Sequence, residues 1–194
     1  GDTGKRKEYW HWYLDMILSI YENSEREIIT FVLPEKATEI PDFPEELIKE
    51  GLEEISSSPQ GHLSRPLRYK ILQAFRSPRI AGRVGILCAL KVLPIWRKYF
   101  GKNHEIIELL RKAEYCLGEK ATPDEITKIA DYISSLVEGH DYGTNFAPLM
   151  AGMAAVQAAY TVTDGNDCEE VAENDEELAS DEWDAAFLAS LSCN

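Results

Sequence analysis

Residues 146–162 read FAPLMAGMAAVQAAYTV, seventeen positions without a charge, six of them alanine. Two folds compete for such a run. A membrane span needs about 20 apolar residues, with basic residues marking its cytoplasmic end. This run is shorter, contains Pro148, Gly152 and Gln157, and has no Lys or Arg within ten residues on either side. The alternative is a helix covered on most sides by other helices, since an element apolar all round is stable in water only when surrounded. Nothing anchors the run in a bilayer, so the second fold is expected: an all-α protein, a compact multi-helix bundle with a buried alanine-rich central helix.

The flanking sequence supplies the surrounding helices. From Tyr9 to Glu22, residues Trp10, Tyr13, Leu14, Ile17, Leu18 and Tyr21 recur every three or four positions and form one apolar face. Ser24, followed by Glu25 and Glu27, reads as the N-cap of a second helix, although Ile28, Ile29, Phe31 and Val32 also suit a strand. Glu45 to Ile55 is a further helix, and Ser64-Arg65-Pro66 opens another. Ser77-Pro78 starts a long helix that contains Ala81, Gly85 and Ala89 at four-residue spacing, passes through Pro94 and stops at Gly101. Asn103 to Leu117 follows, and then Thr122-Pro123-Asp124-Glu125, a capping box with proline at the first helical position. His140 to Asn145 reads as a loop. Ser180, with Asp181 and Glu182 behind it, is expected to cap a last helix that docks Trp183, Ala186 and Phe187 on the body. Trp96 and Trp183 are assigned to the core. No strand alternation competes elsewhere, and 194 residues suit a single domain, 1–194.

Composition narrows the chemistry. The chain has 34 acids and 20 bases, a net charge of −14, which disfavours general binding to nucleic acid or anionic membrane because both are polyanions. The charge is unevenly placed. Residues 161–194 hold eleven acids and no Lys or Arg, whereas residues 1–160 hold 23 acids against 20 bases. The stretch 165–180 is expected to be a loop or weak helix whose Glu169, Glu170, Asp175, Glu176 and Glu177 form a patch that a basic protein partner can read. Arg65, Arg68, Lys70, Arg76, Arg79 and Arg83 crowd into nineteen residues without an acid. They read as an internal partner for the acidic end or, through Arg79 and Arg83, as an anion site between helices. The latter would make the chain a small-ligand or enzymatic protein. The small stripe Ala81, Gly85, Ala89 suits internal packing or a homodimer, and so a structural subunit.

Known catalytic and metal signatures are missing from the sequence. His11, His62, His104 and His140 stand apart, with no HExxH, and read as surface histidines. Asp164, Asn166 and Asp167 begin like a calcium loop, but Glu169 stands where the turn needs glycine. No GxGxxG, GxxxxGK[ST] or GxSxG occurs, and the four cysteines form no CxxC pair. No cofactor, metal or catalytic residue is expected. The charged start, Gly1 to Glu8, lacks the apolar stretch of a signal peptide, so a cytoplasmic location is expected.

Two short stretches carry a resemblance. Leu87-Cys88-Ala89 with Val92-Leu93-Pro94-Ile95-Trp96, and Asp181-Glu182-Trp183-Asp184-Ala185-Ala186-Phe187, resemble motifs of predicted all-α immunity proteins from bacterial polymorphic toxin systems. The resemblance spans roughly residues 76–192. It implies a cytoplasmic, non-catalytic inhibitor that binds a toxin and blocks its active site. Many toxins act on nucleic acid and carry basic clefts, which an acidic surface complements.

Overall fold

The uncharged run does form a helix, and its neighbours surround it. The computed structural model of the chain describes residues 2–31, 45–75, 78–101, 104–118, 121–164 and 184–193. These residues form eight helices and no strand: α1 (Thr3–Phe31), α2 (Glu45–Ser57), α3 (Arg65–Ala74), α4 (Pro78–Phe100), α5 (His104–Leu117), α6 (Pro123–Glu138), α7 (Tyr142–Asp164) and α8 (Ala185–Ser192). Helix α7 packs against α4, α5, α6 and α8. Its Leu149, Ala154, Val156, Ala158 and Ala159 have no accessible surface.

Small residues let these helices approach. A Cβ built on Gly85 of α4 would lie 3.4 Å from Ala158 of α7 and 3.6 Å from the Cβ of Ala185 in α8. Three helices therefore meet where no side chain extends beyond a methyl group. Ala81 and Ala89 are buried along the same seam. Internal packing consumes the stripe, so it is not available as a homodimer surface. Further along α4, the Trp96 indole covers Gly152. A Cβ there would overlap Cζ3 of the ring and sit 2.8 Å from Cε3.

Helices α1, α2 and α3 form a second group, joined through α1–α2 and α2–α3 packing, with α1 also reaching α8. The predicted face of α1 is the buried one: Trp10, Tyr13, Leu14 and Ile17 are inside, with Leu18 and Tyr21 partly so. Gly51 admits Leu14, whose Cδ1 would stand 3.1 Å from an added Cβ.

Several boundaries differ from the sequence reading. Helix α1 is continuous from Thr3 to Phe31 rather than broken at Ser24. A serine inside a helix costs only a few tenths of a kcal/mol relative to good formers, and no Gly or Pro stands nearby to force a break. Ile28 to Phe31 belong to this helix and not to a strand. Thr122 has the extended backbone of an N-cap, but its hydroxyl makes no capping bond. Pro123 presets the helical φ, and Asp124 and Glu125 favour the positive helix end. Helix α7 begins at Tyr142, inside the expected loop, and bends at Asn145 (φ −122°, ψ 21°). Helix α8 starts at Ala185 with Asp184 as its N-cap, four residues beyond the expected Ser180; residues 180–183 lie outside the described residues. Gly101 does end α4, in the left-handed region at φ +69°.

The Trp96–Gly152 seat yields a prediction. Gly152→Ala should lower the unfolding free energy by about 2 kcal/mol, within the usual range for overpacking a core. Urea denaturation would measure it. Adding Trp96→Leu should recover part of the loss, because the clash is with the indole.

Candidate functional site

Two members of the basic cluster, Arg65 and Arg68, are buried, and Arg68 is held by a carboxylate. Arg68 is 1% exposed, on the inward face of α3 that also carries Leu67 and Ile71. Its Nε donates to Oδ2 of Asp184 at 3.1 Å, and its Nη2 donates to the same oxygen. Nη1 donates to the Leu63 carbonyl at 2.6 Å. The guanidinium lies 5.4 Å from the ring centres of both Trp10 and Phe187. Oδ1 of Asp184 accepts from the Phe187 amide at 2.9 Å and so caps α8. One carboxylate thus starts α8 and neutralises the arginine that fixes α8 to α3. The basic middle does partner the acidic end, at this pair.

The rest of the cluster behaves differently. Arg65 donates to the Tyr69 hydroxyl at 3.2 Å and stacks on its ring. Lys70 stands 4.0 Å from Glu50. Arg79 and Arg83 are exposed on the first turns of α4. They do not line the cleft beside the clamp, which is bounded by Tyr13, Arg68, Leu72, Thr161 and Asp184 and has about 30 Å³ of space, enough for one or two waters. Glu169, Glu170, Asp175, Glu176 and Glu177 lie outside the described residues, as does Trp183. Trp96 is wholly buried.

Among the described residues no group of three or more His, Cys, Asp or Glu could hold a metal ion. Burial pushes the Cys88 thiol up to about 12, with the neighbouring Tyr9 acting in the opposite direction. His62 is not a surface histidine. It is half-buried between Trp10 and Phe187, with ring centres at 5.7 and 5.1 Å. No helix among the described residues is long and apolar enough to cross a membrane.

The opposite kind of surface occurs where α4 and α6 end and α7 begins. Phe100 stacks on Trp96 at 4.2 Å and meets the His140 ring at 5.0 Å. Asp141 accepts from the Gly143 amide at 2.9 Å and from the Thr144 hydroxyl at 3.4 Å, fixing the turn. Large apolar groups stay in solvent here: Tyr99 is 56% exposed, Tyr142 41% and Phe146 39%. Partial burial raises the Tyr142 hydroxyl pKa, and the nearby Glu138 carboxylate raises it further. Sequence periodicity did not flag these aromatics, because His140 to Asn145 reads as a loop. It could have isolated Arg68, whose neighbours Leu67 and Ile71 mark the inward side of α3.

A profile of the Imm5 immunity protein family matches residues 48–194, from α2 to the end of the chain. The chain belongs to the Imm5 family. No curated protein matches it. Membership implies a toxin as the partner of this immunity protein. The match takes in both members of the Arg68–Asp184 pair and the α6–α7 turn, while the whole of α1 precedes it.

Two measurements probe the clamp and the core. Arg68→Met and Asp184→Asn should each lower unfolding free energy by about 2–4 kcal/mol, since each strands a charge that the other neutralised. The double variant should cost less than the sum in a denaturation cycle. With Cys116, Cys168 and Cys193 changed to serine, Cys88 should resist a thiol reagent at pH 8 and react only at the rate of unfolding, because its thiolate is negligible in the folded protein.

Proposed function

We propose that this immunity protein is a non-catalytic inhibitor that works in the bacterial cytoplasm and binds a toxin through the toxin's basic surface. The family match over residues 48–194 carries this reading. The charge layout supports the basic character of the partner: net −14, with eleven acids and no base in residues 161–194. Inhibitors of this kind bury a standard interface of about 1,600 Å² and need no reactive group of their own. Glu169, Glu170, Asp175, Glu176 and Glu177 are the acids assigned to the contact. Opposite charge there steers encounter, so it acts chiefly on the association rate. The same charge keeps the chain from nucleic acid and anionic lipid.

The test uses a toxin domain sought among the reading frames that neighbour this gene. Co-expression with the chain should restore growth to cells that the toxin arrests. In a kinetic binding assay, reversing all five acids to lysine should slow association by about tenfold or more at low salt, with the gap narrowing as salt rises. An association rate unchanged by the reversal would remove these acids from the interface. Failure of the intact chain to protect or bind would overturn the inhibitor reading itself.

A further inference from the structure

We propose that the α6–α7 turn is a second toxin-docking surface, on which Tyr142 and Phe146 are apolar anchors and Glu138 receives a basic side chain of the toxin. It rests on the inhibitor reading and adds a site made entirely of described residues. Three observations point to it.

The first is exposure. Tyr142 and Phe146 are each about two-fifths exposed on either side of the bend at Asn145, and Tyr99, 56% exposed at the end of α4, adds to the aromatic surface above the wholly buried Trp96. Exposed aromatic side chains on a polar background are the usual hot spots of protein interfaces. The second is rigidity. Asp141 closes the turn through Gly143 and Thr144, and Asn145 adds bonds from its amide to the Asp141 carbonyl and the Thr144 hydroxyl. Beneath it, Phe100 links His140 to the Trp96–Gly152 contact. Anchors on such a support lose little freedom on binding.

The third is charge. Among the described residues Glu138 accepts only a long 3.4 Å bond from Ser134, and Asp141 is engaged by its own turn. Neither carboxylate pairs with a base among the described residues. Of the bases on the last turn of α4, Lys98 lies over Tyr99 at 5.9 Å. Glu138 is the last residue of α6 and Tyr142 the first of α7, so they flank the same short turn. A carboxylate beside an exposed phenol ring is suited to an arginine, whose guanidinium stacks on the ring and hydrogen-bonds the carboxylate. The occupant is therefore a basic protein surface presenting such a residue, the same chemistry as that proposed for the toxin.

The experiment measures binding to the toxin domain against which the chain protects cells, with folding checked by circular dichroism. Tyr142→Ala/Phe146→Ala should weaken affinity by about 20-fold or more, mainly through faster dissociation. Glu138→Arg, a change at an exposed position, should weaken it by about fivefold or more. Tyr115→Ala, an equally exposed tyrosine on α5, should stay within about twofold of the intact chain. If the intact chain binds and both turn variants also stay within twofold, this surface is wrong and the inhibitor reading stands. If the intact chain does not bind, both fall.

Discussion

A helix without charge cannot stop at one covered face, and that constraint organises the molecule. Each side of α7 left in water would expose alanine, leucine and methionine, at about 25 cal/mol for every Å² of apolar surface. Four helices therefore close around it. They can do so because Gly85, Ala81 and Ala89 on α4, and Ala155 and Ala158 on α7, let backbones come close. Bulk is added where room remains, as with Trp96 over Gly152.

The Arg68–Asp184 pair solves a different problem. Helix α8 is short, and isolated helices of that length are not stable in water. It persists because every residue from Ala185 to Ser190 is buried, with α7 and α4 packed against the helix, and because Asp184 caps it. Burying the arginine beneath would be unfavourable without that carboxylate. Trp10 of α1 and Phe187 of α8 flank the guanidinium, so the pair also joins the first helical group to the second. A buried pair of this kind specifies how α8 sits more than it adds net stability.

The class and most of the helices were legible in the sequence because they follow from period and punctuation. The apolar face of α1, the Ser64-Arg65-Pro66 start and the Gly101 stop all recur in the structure. The seam Ala81–Gly85–Ala89 was legible as a close-packing stripe, but not its partner, because small residues look alike from either side. Boundaries failed where a local signal lacked force. Ser24 has the chemistry of a cap, yet the helix continues through it. Asp184 was counted with the acidic end, although its role depends on an arginine 116 positions away, a separation that no local pattern encodes. The α6–α7 aromatics were hidden for a similar reason: exposure is a property of the folded surface.

The seam where Gly85, Ala158 and Ala185 converge has an evolutionary corollary. A methyl added at Gly85 would already stand in van der Waals contact with Ala158 and Ala185, so anything larger is restricted there, and a packed interior of this density transmits any misfit. The outward turns are under no such restriction. A lineage can exchange aromatic and charged residues on those turns while leaving the scaffold beneath untouched, because surface substitutions away from packed contacts cost little stability.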